Sequence, residues 1–350
     1  MGVALQAFLT QAGRVIKERR GKRAVNASNE SQAVESSSPQ GEAVLVLRGL
    51  TKRYRARTAV SDLSLDVQRG DIYGFLGPNG AGKTTTIRMI VGLIRPTAGS
   101  VIIAGDHLRA WHRAPLGRLG AIVEAPALYT YLSGRDNLRM FADLTGRYPR
   151  QRIDQVLDRV GLTDRASDKV AEYSHGMKQR LAIAAALLPA PELVLLDEPT
   201  NGLDPGGIRD TRDLIRSLAR DDGLTVFLSS HLLAEVQQLC NRGAVLLQGK
   251  KIWEGEIAEL LGARRRIRLR ATPLDRVREV LAMPGAAPGA APELRDVPGE
   301  PGLLHVHGAL AADDVVERLV AAGCRVHEVV AELPQLEEAF LAMVEPGEVA

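Results

Sequence analysis

Gly77-Pro78-Asn79-Gly80-Ala81-Gly82-Lys83-Thr84-Thr85 is the stretch that decides the fold of this chain. The short apolar run before it, residues 71–76, has the length and composition of a buried strand. The run after it, residues 84–94, repeats apolar side chains at helical spacing. A glycine-rich turn between a strand and a helix can wrap around an anion, because the first helical amides have no partner within the helix. The pattern therefore predicts a phosphate-binding loop.

Two side chains of this loop suit a nucleoside triphosphate. Lys83 would reach the β and γ phosphates as a point charge, and the Thr84 hydroxyl would complete the ligand shell of Mg²⁺. A glycine-rich turn that matches by chance is the alternative, and the flanking strand and helix patterns argue against it. The residues predicted to contact the nucleotide are Gly77, Pro78, Asn79, Gly80, Ala81, Gly82, Lys83, Thr84 and Thr85.

A second motif consists of an apolar run, residues 193–196, that is followed by Asp197 and Glu198. Such a run predicts a buried parallel strand that delivers its acids to the carboxyl edge of a sheet. Asp197 would then help to hold Mg²⁺, and Glu198 would act as the general base that polarises the attacking water. A core strand followed by two solvated acids is the alternative interpretation, and the presence of Lys83 disfavours it.

These two motifs, and the further segments described below, follow one another in the order found in the ATP-binding cassette (ABC) ATPases. The chain resembles that family over roughly residues 44–261. The resemblance implies that Tyr54, upstream of the phosphate loop, stacks on the adenine of ATP. It also implies that Ser174 and Gly176 belong to the family's signature motif. In that family the motif reaches across a dimer to the γ-phosphate of the partner's ATP, so a homodimer that shares two ATP molecules is expected.

The resemblance assigns two more positions near the nucleotide. Asp204 lies in the segment that matches the dimer-contact loop of the family, downstream of the catalytic carboxylate. His231 matches the switch histidine that touches the γ-phosphate. We therefore expect Lys83, Glu198 and His231 to act in catalysis, with Mg²⁺ as the metal cofactor of ATP.

Two departures from the common family pattern bear on activity. Glu124 stands where most members carry a glutamine in the loop that leads to the helical subdomain, and it would add negative charge beside the phosphates. As a carboxylate it is also a candidate metal ligand, so we expect altered Mg²⁺ affinity. The signature motif is loose, with His175 and Met177 in place of the usual glycine and glutamine. Ser174 and Gly176 are retained, and these variants resemble the subgroup that powers bacterial drug and antibiotic-resistance exporters.

The implied fold class is α/β, with a P-loop ABC ATPase core, a β subdomain, a helical subdomain and a small C-terminal α/β domain. The predicted domains are an extension at 1–42, the ATPase at 43–262 and the accessory domain at 263–350. The extension is basic at residues 14–23 and then polar, as in a disordered linker. At 350 residues the chain exceeds one average domain, which agrees with this division.

Beyond residue 262 the pattern predicts the order βαβαβα. The interval 284–302 is rich in Pro, Gly and Ala and reads as a flexible loop. Arginines at positions 264–266, 268 and 270 alternate with Ile267 and Leu269, which indicates a strand with one exposed basic face. Upstream, the interval 125–178 turns helical and separates the two nucleotide motifs.

Composition limits the possible partners. Hydrophobic residues make up 45% of the chain, yet its longest apolar stretches fall short of the roughly 20 residues needed to cross a bilayer. A transport role therefore requires a separate integral membrane permease, with this chain peripheral at the cytoplasmic face of the cell membrane. The net charge of +3 is too small to predict a nucleic-acid partner. Two distant cysteines, Cys240 and Cys324, suggest neither a zinc site nor a disulfide framework.

The expected function is ATP binding and hydrolysis that energises the permease, with export of a drug, antibiotic or other small molecule or lipid. A non-transport cassette ATPase, regulatory or associated with nucleic acid, is the alternative. Translation-type cassette proteins usually carry two cassettes in one chain, whereas one phosphate loop is visible here. Chromosome-maintenance ATPases place long coiled coils before the Asp197 strand, and sustained heptads are missing from this interval.

Overall fold

The computed structural model describes residues 42–55, 57–124, 127–145, 148–262, 266–282, 292–297, 299–308, 311–332 and 336–344. These residues divide into two compact units between Glu254 and Gly255. The division lies a few residues before the boundary that the sequence predicts after residue 262. The predicted extension of residues 1–42 lies outside the described residues, apart from Glu42.

The first unit alternates strands and helices, as an α/β fold requires. Its elements, the last of which runs across the division between the units, are β1 (Ala43–Tyr54), β2 (Arg57–Gln68), β3 (Ile72–Leu76), α1 (Lys83–Ile90), β4 (Ala98–Ile103), β5 (Asp106–His107), β6 (Leu119–Ile122), α2 (Gly134–Thr145), α3 (Arg150–Arg159), α4 (His175–Leu187), β7 (Leu193–Asp197), α5 (Pro205–Asp222), β8 (Thr225–Ser230), α6 (Leu233–Leu239), β9 (Arg242–Leu247) and β10 (Lys250–Glu256). The predicted helical interval corresponds to α2, α3 and α4, which pack on one another. The predicted α/β class is confirmed.

A six-stranded sheet in the spatial order β10-β9-β3-β8-β7-β6 positions the phosphate loop. From β9 to β6 the neighbouring strands run parallel. The register aligns Leu76 with Ser230 and Asp197 with Ser229, so the carboxyl ends of β3, β7 and β8 meet at one edge. Ligands of open α/β sheets bind at this edge. The predicted placement of Asp197 at the carboxyl edge of a parallel sheet is confirmed.

An antiparallel sheet in the order β2-β1-β4-β5 shares one apolar core with the central sheet. At the centre of the first unit the rings of Tyr73 and Phe227 stack with centroids 5.7 Å apart, and Phe75 lies 5.3 Å from Phe227. All three side chains are fully buried. Since each aromatic side chain buries about 150–250 Å², these rings anchor β3, the strand that ends at the phosphate loop.

Gly120 in β6 lies against the backbone of α4. A Cβ at this position would lie 2.2 Å from the carbonyl oxygen of Ala186. Because that neighbour is backbone, Gly120→Ala forces a strand and a helix apart, and we expect the free energy of unfolding to fall by about 2–3 kcal/mol. Urea unfolding followed by circular dichroism measures the change.

Gly117→Ala is the matched control, because no described atom lies within 4 Å of a Cβ at Gly117. We expect this variant to stay within about 0.5 kcal/mol of the unsubstituted chain. Equal stability of the two variants would show that β6 and α4 are not in such close contact.

The second unit is a small α/β arrangement. Its strands form an antiparallel sheet in which residues 293–296 and 325–332 lie at the two edges. Helices over residues 274–282 and 312–321 share an apolar core with this sheet. Its elements are α7 (Ile257–Gly262), β11 (Arg266–Thr272), α8 (Leu274–Ala282), β12 (Glu293–Asp296), β13 (Leu303–His307), α9 (Ala312–Ala321), β14 (Arg325–Glu332) and α10 (Leu336–Val344).

The predicted small C-terminal α/β domain is confirmed with one correction. The prediction of an uninterrupted loop over residues 284–302 is wrong, because β12 lies within it and pairs with β13. This strand has the sequence Glu-Leu-Arg-Asp, and a short charged edge strand carries almost no alternating apolar pattern. Residues 283–291 and Pro298 lie outside the described residues.

The arginine face predicted over residues 264–270 is present in β11 from Arg266 onward, whereas Arg264 and Arg265 lie outside the described residues. Ile267 and Leu269 are buried, while the arginines between them point to the opposite face. Arg266 Nε donates to Glu332 at 2.8 Å, and Arg268 forms an ion pair with Glu328. These ion pairs cancel much of the positive charge, so the face carries charges of both signs. Its arginines are half-buried.

Candidate functional site

The phosphate loop has a backbone that only glycine accommodates. Gly77 and Gly82 have φ values of 155° and 111°. A Cβ on Gly77 would lie 2.3 Å from the carbonyl oxygen of Leu246, and one on Gly82 would lie 2.6 Å from that of Ala59. The α1 helix starts with Thr86 N donating to Gly82 O at 2.9 Å, so the earlier amides have no helical acceptor. The loop therefore forms a cradle suited to an anion.

Lys83 is the cation of this cradle. Its side chain is buried, and Nζ donates to the carbonyl oxygens of Gly77 at 2.7 Å and Pro78 at 3.4 Å. Burial lowers the pKa of Lys83, while Glu198, whose Oε1 lies 3.8 Å from Nζ, opposes this shift. Loop carbonyls thus hold an ammonium group close to the place where phosphates would lie.

Asp197, at the end of β7, is held by the neighbouring strand. Ser229 Oγ donates to its Oδ1 at 2.5 Å. Burial raises the pKa of Asp197 and the Ser229 hydrogen bond opposes that rise. Thr84 lies next to Lys83 in the first turn of α1. Hydroxyl and carboxylate oxygens are the hard donors that Mg²⁺ prefers, so the donor set of Thr84 and Asp197 fits this ion.

Glu198 adopts a left-handed backbone conformation, with φ of 49°, that is uncommon for a residue with a side chain. Its amide is fixed by Ser229, to whose backbone and side-chain oxygens it donates at 3.2 and 3.1 Å. His231 Nδ1 lies 3.1 Å from Glu198 Oε2. Because an ionised carboxylate only accepts hydrogen bonds, Nδ1 carries the proton and Nε2 is left for a ligand. Asn201 Nδ2 donates to the same oxygen at 3.4 Å.

Glu124 lies at the same sheet edge and has a partner of its own. The parallel pairing of Ile122 with Leu196 brings the end of β6 beside the end of β7. The Glu124 backbone is left-handed, with φ of 64°, and its carboxylate forms an ion pair with Arg88 of α1. Ala125 and Pro126, which follow in the motif, lie outside the described residues.

The comparison with known proteins identifies the family. The ABC transporter family pattern matches residues 60–201. The uncharacterized ABC transporter ATP-binding protein YhcH of Bacillus subtilis is 50% identical over 209 residues, which cover 60% of this chain and 68% of that protein. The chain belongs to the ABC transporter ATP-binding proteins.

Two further matches agree with this membership. The bacitracin transport ATP-binding protein BcrA of Bacillus licheniformis is 49% identical over 205 residues, or 59% of this ABC ATPase and 67% of the relative. A solved ATP-binding cassette dimer, in a post-hydrolysis state with ADP and Pi, matches with a TM-score of 0.55 and 26% identity. That match covers 61% of this chain and 98% of the other. The predicted family and ATP hydrolase activity are confirmed.

The residues predicted to form the signature motif and the dimer-contact loop lie at the starts of α4 and α5. Ser174 caps α4, where its Oγ accepts from Met177 N at 3.2 Å. A Cβ on Gly176 would lie 3.9 Å from Gly207, at the start of α5. Asp204 caps α5 by accepting from Gly207 N at 2.9 Å. Asn201, which donates to Glu198, precedes Asp204 by three residues and thus connects these residues to the predicted base.

Tyr54 ends β1 with 46% of its surface exposed, as an aromatic platform for a base would require. Lys52 Nζ lies 5.1 Å from the centre of its ring. The residue opposite Tyr54 in the hairpin is Arg57, whose Nη2 donates to Gly80 O at 3.4 Å. This hairpin therefore connects the exposed ring with the phosphate loop.

Sequence reasoning missed Ser229, Arg57 and Arg88. Ser229 was visible as a small polar residue in a strand next to His231, but its bond to Asp197 depends on the neighbouring positions of β7 and β8. Neither Arg57 nor Arg88 lies within one of the motifs that the sequence analysis recognises. None of the described helices has the length and apolar character that a membrane span requires.

Proposed function

We propose that this ABC ATPase converts ATP hydrolysis into work on a separate membrane permease that exports an antibiotic-like compound. The observation that carries the proposal is the convergence of Lys83, Asp197, Glu198 and His231 at one sheet edge. A cation, a metal-binding carboxylate, a base and a histidine are the groups that phosphoryl transfer to water needs.

ATP would bind along residues 77–85, with its adenine on the exposed ring of Tyr54. On binding, the Lys83 ammonium would exchange its loop carbonyls for the β and γ phosphates. Thr84 and Asp197 would hold Mg²⁺, with Glu124 beside them. When bound, this ion neutralises the charge that develops on the phosphates.

Hydrolysis would then depend on the pair of Glu198 and His231. Glu198 is positioned to accept a proton from a water molecule that attacks the γ-phosphate. The hydrogen bond from Nδ1 of His231 orients that carboxylate and leaves Nε2, the acceptor of the neutral ring, for an O–H of the water. Ser229 fixes the backbone of Glu198 and so keeps the base in place.

A second copy of the chain would complete the site. We propose that Ser174 and Gly176 of the partner subunit cover the γ-phosphate, with Asp204 in the contact loop between protomers. ATP would then join two copies, and hydrolysis would release them. The dimeric cassette with ADP and Pi among the structural relatives supports this arrangement.

An exposed aromatic surface is the proposed contact with the permease. Tyr131 is 68% exposed and packs edge to face against Tyr129, with ring centres 5.8 Å apart. Buried Asn137 fixes the position of Tyr129, because it accepts from the backbone amide at 2.8 Å and donates to the carbonyl at 3.0 Å. A short helix of a membrane subunit could pack here, next to Leu132. The chain would then sit peripherally at the cytoplasmic face of the membrane.

We further propose that residues 43–262 perform the nucleotide chemistry and that residues 263–350 form an accessory domain. The relative named for bacitracin transport supports a peptide antibiotic as cargo. Co-expression with a candidate permease, chosen as a polytopic membrane protein from a neighbouring reading frame, tests the proposal. We expect the chain to join membranes only when that protein is present, its ATPase rate to rise several-fold, and bacitracin sensitivity of the host to fall. If the chain stays off membranes that contain this protein, the transport role is wrong.

A further inference from the structure

Arg88 is a charged residue beside the ATP site that the proposed chemistry does not use. It lies in the last turn of α1, the helix that begins with Lys83, and its side chain is 42% exposed. Its Nη2 donates to Oε1 of Glu124. Exposed ion pairs contribute little to stability, so fold stabilisation alone is a weak reason for this contact. The main consequence of the contact is its effect on the charge and position of Glu124.

Glu124 lies beside the strand that ends at Asp197, the residue proposed to hold the metal. It follows β6 by two residues, and β6 runs parallel to β7 with Ile122 opposite Leu196. Burial is the main cause of the raised pKa of Asp197, and the negative charge of Glu124 adds to it. Glu124 therefore adds negative charge near Asp197, as the smallest of the influences on that carboxyl.

A third carboxylate beside Asp197 and Glu198 has two opposite consequences. It repels ATP that carries no metal, because both are anionic, and it attracts a divalent cation. The guanidinium of Arg88 reduces both effects, since it occupies one oxygen of Glu124 and cancels its charge. A glutamine, which the family usually has at this position, would need no such partner.

We propose that Arg88 is a positioning residue that holds Glu124 in an ion pair and thereby limits how strongly nucleotide binding depends on the divalent cation. The inference rests on the ATP site of the proposed function and specifies how its charge is balanced. The pair joins the phosphate-loop helix to the segment after β6, so it sets both the direction and the charge of the Glu124 carboxylate.

The test is equilibrium binding of a fluorescent trinitrophenyl ATP to the full chain, in excess EDTA and in saturating Mg²⁺. For Arg88→Ala we expect the Kd in EDTA to rise about three- to tenfold, because the Glu124 charge is exposed to the phosphates. In Mg²⁺ we expect a smaller rise, so the ratio of the two Kd values increases. Arg88→Gln, which keeps most of the side-chain volume, should behave in the same way.

Glu124→Gln makes the test specific, because it removes the carboxylate that Arg88 neutralises. In that background we expect Arg88→Ala to change neither Kd by more than about twofold, which is the non-additivity that coupled residues show in a double-mutant cycle. Arg216→Ala is the matched control: Arg216 is 45% exposed and pairs with Asp213 on α5. We expect both of its Kd values to equal those of the unsubstituted chain.

Two results would overturn the inference. One is an unchanged EDTA Kd in both Arg88 variants, and the other is an equal rise in the Glu124→Gln background, which would mean that Arg88 acts on something other than Glu124. Failure of the unsubstituted chain to bind the probe in either buffer is a different outcome, since it would remove the ATP site itself.

Discussion

Glu198→Gln is expected to lower the ATP hydrolysis rate about 10²- to 10⁴-fold, the range that loss of a general base produces. The substitution keeps the shape of the side chain and an oxygen that can accept from His231 Nδ1–H, at 3.1 Å in the unsubstituted chain. It removes the basicity that takes a proton from water. ATP binding should be kept or strengthened, because the amide removes a negative charge 3.8 Å from Lys83 Nζ.

The same variant should accumulate as a dimer in ATP and Mg²⁺. If two copies enclose ATP and separate on hydrolysis, a chain that binds without hydrolysing stays in the closed state. Multi-angle light scattering with ATP measures the dimer fraction, and phosphate release measures the rate.

Glu192→Gln is the matched control, because Glu192 immediately precedes β7, at the opposite end of that strand, and pairs with Arg69 at 2.7 Å. We expect this control to hydrolyse ATP at the normal rate and to show no added dimer. Steady turnover by Glu198→Gln at the unsubstituted rate would mean that another group takes the proton.

The phosphate loop and the two acids could be predicted because their chemistry is contiguous in sequence. Gly77 and Gly82 lack the Cβ that nearby carbonyl oxygens exclude, and the apolar run of β7 ends at Asp197 and Glu198. The helices of the first unit followed from their apolar spacing. In each case the residues that define the feature are neighbours along the chain.

The parts that sequence missed depend on contacts between distant segments. Ser229 reaches Asp197 because β8 lies next to β7 in the sheet. The sequence of neither strand shows which strand lies beside it. Arg88 and Glu124 are 36 residues apart in sequence. They meet only when α1 packs near the edge of the sheet that β6 forms. The strand β12 was missed for another reason, since its three charged residues and one leucine owe their extended form to pairing with β13.

Lys83→Ala is expected to weaken ATP binding by about 100-fold or more, since it removes charge-assisted hydrogen bonds to two phosphates, each worth about 1.5–3 kcal/mol. In the structure, Lys83 Nζ donates to Gly77 O at 2.7 Å. The side chain is buried, and burial disfavours the charged form of its amine. The ammonium is therefore kept there at a cost in desolvation that ATP would offset. Removing it should change the free energy of unfolding by less than about 1 kcal/mol, because the lost bonds and the relieved burial nearly cancel.

This contrast between binding and stability separates a ligand-binding lysine from a structural one. Titration with fluorescent ATP measures the first quantity, and urea unfolding without nucleotide measures the second. Lys250→Ala, at an exposed position that begins β10, serves as the control and should leave both unchanged. If Lys83→Ala instead unfolded the chain while ATP affinity in the folded fraction stayed normal, the role of Lys83 would be structural. It would stabilise the loop through hydrogen bonds to the loop carbonyls. The phosphates would then be held by the backbone amides of the loop and α1, which the substitution leaves in place.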